Sequence, residues 1–489
     1  MRTRESAISP MRNAWRIAPL IALCAAAGAA QPQGPSVRVA SDQRIELMAI
    51  VFRLAGGGFD QNNYVQYDSA VRRHFEPFRA HEAITLAREL HEKRDVGFST
   101  VMSLAIAFEP LPGLELRVDP DSVLGPRVPS PEIQRFAAAF QRFARESHAA
   151  RFFAEQRVRL DSAAAHLGAP VYQANAFEWI ARFFGVPSDR DFVVAPLLAN
   201  SQGNYGPCVR PRGGRLECWQ ILGHSRTDSS GFAIWGDESV GTLVHEISHS
   251  YANPLGDARA SVFGPALRRV QEAFVDQMAA QAYTSWQSVL NESLVRATVA
   301  RFFADRGTPE QMSEYLADQR GRGWLWLPEL AERFALYERD RAAYPTLEAF
   351  MPRIVAYYDS LPDRIPALKQ AYDAGRPRVV STSLPVGEVA VLDPDVREIV
   401  VRFDRPVRPH RFAVVPLFVN GRPNGTRVPA PPVTGLTLDS AGTTARLSIT
   451  LEPGREYAFQ LNTPHGHGFR TPDGIPLAPY VIRIRARQR

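Results

Sequence analysis

Residues 241–254 read GTLVHEISHSYANP, with His245 and His249 four apart and Glu246 directly after the first. Apart from Glu246, no charge interrupts the stretch from Val240 to Tyr251, so the spacing predicts a helix that can be buried beside a sheet. Asp237 is the expected N-cap and Asn253-Pro254 the expected stop. On such a helix His245 and His249 lie one turn apart on one face, the spacing at which two imidazoles bind one Zn²⁺ at about 2.0–2.1 Å each. Glu246 is rotated by about 100° from His245 and reaches the open coordination position. There it serves as general base for a metal-activated water, which is the mechanistic content of HExxH. The plain structural reading is a packed helix whose histidines make ordinary hydrogen bonds.

A catalytic zinc takes three protein ligands and leaves one position open, so a third donor is needed from a neighbouring element. The next helical pattern, GPALRRVQEAFVDQMAAQAYTSW, is expected to start with Pro265 at its first position. It carries Glu272 and, one turn on, Asp276. The glutamate is the expected metal ligand. The aspartate is expected to accept the other ring N–H of a ligand histidine and so fix its tautomer. An exposed acidic pair is the plainer alternative.

HEISH followed by EAFVD resembles the gluzincin, thermolysin-like metallopeptidases. The resemblance implies that His245, His249 and Glu272 hold zinc, that Glu246 is the base and that Asp276 supports a histidine. The 22 residues between His249 and Glu272 slightly exceed the usual gap, and the Gly-x-Met-Glu-Asn signature of aminopeptidases is absent. Four stretches, IELMAIVFRLAG, VRRHFEPFRAHEAI, GNYG and VHEISHSYANP, together resemble a bacterial family known only as domain of unknown function 4932, over roughly residues 36–370. That resemblance implies a zincin-like fold and brings no substrate with it.

Oxyanion stabilisation requires a donor facing the substrate carbonyl. Tyr205, His224, Tyr251 and Tyr283 are eligible by type, though none by spacing. The segment ANSQGNYG, ahead of the motif helix, is a candidate edge strand for an extended peptide, or else a plain loop. His74, His81 and His91 share no i, i+4 pair and read as structural; His465 and His467 alternate in TPHGHGF, where a solvated turn is the simpler reading than a metal site.

At 489 residues the chain is too long for one compact core. Residues 1–30 have four arginines, an apolar run and a small-residue exit, the pattern of a secretory signal cleaved after Ala30, whether translation starts at Met1 or Met11. Leu23 before Cys24 is a poor fit to a lipoprotein site. The apolar run is shorter than the ~20 residues that span a bilayer. Removing four Arg and one Glu takes the net charge from +6 to +3, with no basic block to suggest nucleic acid or a membrane surface. Export to the periplasm or medium also suits Cys208 and Cys218, which flank a basic, Gly-rich centre (GPCVRPRGGRLECW) and are expected to form a disulfide. Two unpaired thiols are the alternative, while two sulfurs alone do not fill a zinc site.

Helical spacing dominates residues 69–94, 130–185 and 265–373. Between the second and third of these lie the strand-like DFVVAPLLANSQGNYGP, LECWQILGHS and GFAIWG, and VRVASD opens the chain after the signal with a further strand. From 376 on, short Val/Ile-rich alternations separated by Pro, Gly and Asp predict an antiparallel sandwich. LxPGxxY and DGxPL in this part resemble bacterial Ig-like domains, implying a spacing or docking role. The expected organisation is α+β. A signal (1–30) precedes a zincin-like metallohydrolase domain (31–375) with a small mixed sheet and many helices, followed by an all-β Ig-like sandwich (376–489). The expected activity is that of an exported zinc-dependent peptidase acting on a peptide or protein, with Zn²⁺ as cofactor. The competing expectation is a non-catalytic periplasmic binding or scaffolding protein with a structural zinc.

Overall fold

The computed structural model describes residues 36–489 except 60–63, 187–189, 201–202, 225, 237, 386, 410–413, 418–427, 463–467, 473 and 489. The expected signal segment, the expected N-cap Asp237, His465 and His467 lie outside the described residues. Five strands form the central sheet: β1 (Val37–Val39), β2 (Arg190–Pro196), β3 (Asn204–Tyr205), β4 (Cys208–Val209) and β5 (Leu216–Leu222). The order is β1-β2-β5-β3, with β4 also on β5. The β1-β2 and β2-β5 pairings are parallel, and β3 and β4 run antiparallel to β5. The last five residues of β2 and of β5 are all buried, as parallel strands covered on both faces require. Cys208 stands opposite Cys218 in the β4-β5 register, and the two form a disulfide.

The strand expected at VRV is present, and the chain then enters a helix, Gln43–Leu54, capped by Asp42 through the Arg44 amide. Ten of its twelve residues are buried, so it lies in the middle of the core rather than on its surface. One of the ten is Glu46, whose carboxylate accepts from the amides of Leu198 (2.6 Å) and Ala199 (2.9 Å) and from Tyr67 Oη (3.0 Å). These donors stand where an unpaired carboxylate would otherwise be untenable, and they fix the backbone between β2 and β3. His74, His81 and His91 are structural, as expected. The first contacts the Ser147 carbonyl, the second caps a helix through the Ala83 amide, and the third contacts the Val96 carbonyl.

The motif helix spans Glu238–Asp257 and runs through Pro254 instead of ending there. A proline inside a helix leaves the carbonyl four residues earlier without its N–H partner. Here that carbonyl is Ser250, and Arg190 Nη1, from the first residue of β2, donates to it at 2.7 Å. The helix after it, Ala260–Ala273, starts earlier than expected and holds Pro265 inside rather than at its first position. It breaks at Phe274 (φ −128°, ψ 27°), a buried ring set against Trp326 with centroids 5.3 Å apart, and a short helix, Val275–Ala279, follows. Next comes a long buried helix, Trp286–Arg306, which packs antiparallel to the motif helix. Two glycines allow the close approach. A Cβ on Gly241 would stand 2.9 Å from the Phe303 ring, and one on Gly256 would stand 2.4 Å from Asn291 Oδ1. Thr308 opens the following helix, Pro309–Gly321, with a capping box.

Residues 376–486 carry a separate hydrophobic core enclosed by two four-stranded sheets. One has the order Val433–Leu438, Thr444–Ile449, Glu398–Phe403, Val379–Thr382, all antiparallel. The other has the order Val414–Pro416, Glu456–Leu461, Tyr480–Ala486, Ala390–Leu392, and its last pairing is parallel, unlike the all-antiparallel pattern expected. Buried and exposed residues alternate along Glu398–Phe403 and Tyr480–Ala486, so Ile399, Val401, Ile482 and Ile484 point inward.

Candidate metal centre

The motif helix presents His245 and His249 toward the Trp286–Arg306 helix, and Glu292 of that helix meets them. Among the described residues these three form a group able to hold a metal ion. The two Nε2 atoms are 3.2 Å apart, His249 Nε2 is 3.4 Å from Glu292 Oε1, and His245 Nε2 is 3.5 Å from Glu292 Oε2. Donors placed tetrahedrally at zinc's usual bond lengths are about 3.3 Å apart. The two imidazole nitrogens, and each nitrogen with the carboxylate oxygen that faces it, therefore already stand at about that spacing. The imidazoles keep 19% and 21% of their side-chain surface exposed against 11% for the carboxylate, so the group opens on its histidine side.

This arrangement corrects the expected third ligand. Glu272 is exposed at the end of Ala260–Ala273 and does not belong to the His245–His249 group. Asp276 is exposed as well, and the break at Phe274 puts it on a different helix from Glu272, which removes the shared face that one-turn spacing would have given. The supporting contact expected of Asp276 is made inside the motif helix, where Asn253 Oδ1 lies 3.1 Å from His249 Nδ1. An amide oxygen there accepts the Nδ1 proton and leaves the Nε2 lone pair for a metal. Glu292 had a signal of its own. In WQSVLNESLVRATVARF a glutamate and an arginine stand one turn apart in a run apolar enough to be buried, the same anomaly that singles out the HEISH helix.

Glu246 is half-buried on the same helix and faces the segment after β3. A Cβ on Gly206 would lie 3.2 Å from both the backbone oxygen and Oε2 of Glu246. The last glycine of GNYG thus lets the edge segment approach the carboxylate. β3 is at the end of the sheet order, as the edge-strand reading expected. Gln220, fully buried on β5, stands beside them with its amide atoms unpartnered among the described residues.

Burial pushes the Glu246 carboxyl up to about 7, where it exchanges a proton readily near neutrality. Burial also pulls His245 below the ordinary imidazole value. It acts the same way on His249, but the hydrogen bond and charge of Glu292 outweigh it and raise that ring. Burial disfavours the Glu292 charge, yet His245, His249 and Arg296 together hold it well below the usual carboxylate range. In the metal-free chain the carboxylate is thus ionised and ready to ligate.

Of the four candidate oxyanion donors, Tyr283 lies at this group, with its hydroxyl 3.0 Å from Arg296 Nη2. Burial raises it to about 12, so it stays protonated. The others have partners of their own, Tyr205 on the Glu246 side of the site. Tyr205 Oη accepts from Asn200 at 2.9 Å, His224 is buried between Tyr64 and Trp235, and Tyr251 stacks on Phe184 with Arg190 over its ring.

Fold and site together define a mixed α+β protein in which a helical pair beside a small sheet gathers a His–His–Glu group. A family profile described as "Domain of unknown function (DUF4932)" matches residues 37–357, and the chain belongs to that family. No curated protein matches the sequence. Among solved structures the chain is similar to two S-layer protein SbsC structures. One match has 16% identity and a TM-score of 0.17, covering 50% of this chain and 33% of that one. A second, the N-terminal part of SbsC, has 14% identity and a TM-score of 0.16 over 54% of this chain and 60% of that one. The first similarity thus spans about a third of the S-layer chain. No helix among the described residues is long and apolar enough to cross a membrane.

Proposed function

We propose that the chain is an exported zinc-dependent hydrolase, a peptidase with a zincin-like catalytic domain of gluzincin type. The observation that carries this reading is the convergence of His245, His249 and Glu292 at 3.2–3.5 Å, with Glu246 on the adjoining helical face. The donor set of two imidazoles and a carboxylate suits zinc and leaves a position free. When bound, zinc supplies Lewis acidity toward a carbonyl oxygen. Glu246 takes the proton of the attacking water and returns it to the leaving amine. In the metal-free chain burial already raises its carboxyl to about 7, so the group is able to hold a proton. Tyr283, protonated and held by Arg296, is the donor for the developing oxyanion. An extended peptide lies along β3, where backbone hydrogen bonds hold it with little demand on side chains.

The C-terminal pair of sheets is read as an Ig-like module that docks or spaces the catalytic part, and the opening segment as a signal directing the chain to the periplasm or medium. Metal analysis of the purified full chain tests the proposal. About one zinc per chain is expected, lost in Glu292→Ala and kept in Glu272→Ala. Zinc retained by the Glu292 variant removes that residue from the site. Failure of the zinc-loaded chain to cleave any peptide of an unfolded-protein library leaves a non-catalytic binding or scaffold protein.

A further inference from the structure

Arg296 lies one turn after Glu292 on the same helix, and its guanidinium is buried, ion-paired rather than hydrogen-bonded to Glu292 Oε2 and with Nε unpartnered among the described residues. Nη2 stands 3.0 Å from Glu292 Oε2 and 3.0 Å from Tyr283 Oη. Nη1 donates to Gln319 Oε1, and Cζ lies 4.7 Å from the centroid of the Trp324 ring. A cation so held cannot swing away from the carboxylate. Both oxygens of Glu292 face the imidazoles, Oε1 toward His249 and Oε2 toward His245, so geometry alone would let the carboxylate chelate a metal through both. The arginine makes the two oxygens unequal. For Oε2 to join the metal it must leave a buried cation without its counter-charge, which a buried site strongly resists.

We infer that Arg296 is a positioning residue that keeps Glu292 a one-oxygen ligand, so that the remaining coordination position stays open to water and substrate. This rests on the zinc reading above. It distinguishes Arg296 from a residue that merely supports the helix, because the two roles move metal affinity in opposite directions. With Arg296 absent, the second oxygen becomes free to bind and a nearby positive charge is gone, so the metal is held at least as tightly. A lost prop would loosen it.

The test uses the full chain, stripped with chelator and loaded with Co²⁺, whose visible absorption is intense in four-coordinate sites and weak when a further ligand is added. Wild type is expected to show the intense band, and Arg296→Met to lose it while competing with chelator at least as well. Arg296→Lys, which retains a cation beside Oε2, is expected to recover the band. An unchanged band in Arg296→Met, or Co²⁺ binding more than tenfold weaker, overturns the inference and leaves the zinc reading intact. Wild type that takes up neither Co²⁺ nor Zn²⁺ overturns both. Should Arg296→Met not fold, Gln319→Leu removes the acceptor on the far side of the guanidinium without touching the ligand. Arg296→Gln, which removes the charge and keeps a side chain of similar length, is read beside it by the same spectrum, with a weakened band in Arg296→Gln supporting the inference and an unchanged one refuting it.

Discussion

Replacing Glu292 by leucine in the metal-free chain isolates its electrostatic role from the ligand role proposed for it. In the metal-free chain its carboxylate is the counter-charge of Arg296 at 3.0 Å, with side-chain exposures of 11% and 10%. Leucine fills similar space but leaves the guanidinium buried and uncompensated, held only by Tyr283, Gln319 and the Trp324 ring. Breaking a buried pair by removing one partner costs about 3–5 kcal/mol, whereas replacing both by apolar groups is often neutral. Glu292→Leu is therefore expected to lose about 3–5 kcal/mol, and Glu292→Leu/Arg296→Met to regain most of that. Glu272→Leu, at an exposed position, is expected to stay within about 0.5 kcal/mol of wild type. Urea unfolding in excess chelator, followed by tryptophan fluorescence, reads all three, since Trp324 lies against the arginine. A Glu292→Leu variant within about 1 kcal/mol of wild type, or a double variant less stable than the single one, refutes the argument that the pair is a coupled buried unit.

Glu246→Gln is expected to keep its metal and lose about 10²–10⁴-fold in turnover of a peptide substrate, measured beside zinc content. Asn253→Ala, which deprives His249 Nδ1 of its acceptor, is expected to weaken zinc binding about 10–100-fold in chelator competition. Burial holds the Glu46 carboxyl up at about 7 against an ordinary 4.5, so the folded chain binds a proton that the unfolded chain has already released between those values. Its contribution to stability is complete below the unfolded value and is lost as pH rises through the folded one, on the order of 3 kcal/mol in all. Glu46→Gln is expected to flatten that part of the profile between pH 4.5 and about 7 in chemical denaturation, and a difference between the two profiles that does not change with pH contradicts it.

Much of this site was legible in the sequence because HEISH is a local pattern. Two imidazoles one turn apart and a carboxylate beside them follow from helix geometry alone. The disulfide was equally local, set by a short turn between two strands. The third ligand was not, because it depends on which of two later helices packs against the motif helix. Glu272 is nearer in sequence, but Phe274 is buried against Trp326 and breaks its helix, turning both acids outward. Choice of the farther helix rests on Gly241 and Gly256, whose missing side chains admit Phe303 and Asn291, and a linear reading gives such contacts no weight. Pro254 misled for a related reason. Its rule assumes that no other donor arrives, and Arg190 arrives from a strand far back in the chain.

That arginine has a consequence for the order of assembly. Asn253, which orients His249, sits in the turn whose carbonyl at Ser250 is completed from β2, so the helix alone does not specify its own final turn. Arg190 reaches Ser250 only where β2 is in place, so the turn that holds Asn253 is completed together with the sheet. A fragment carrying HEISH without the sheet would contain both histidines of the candidate group and lack the donor that completes their helix at Ser250.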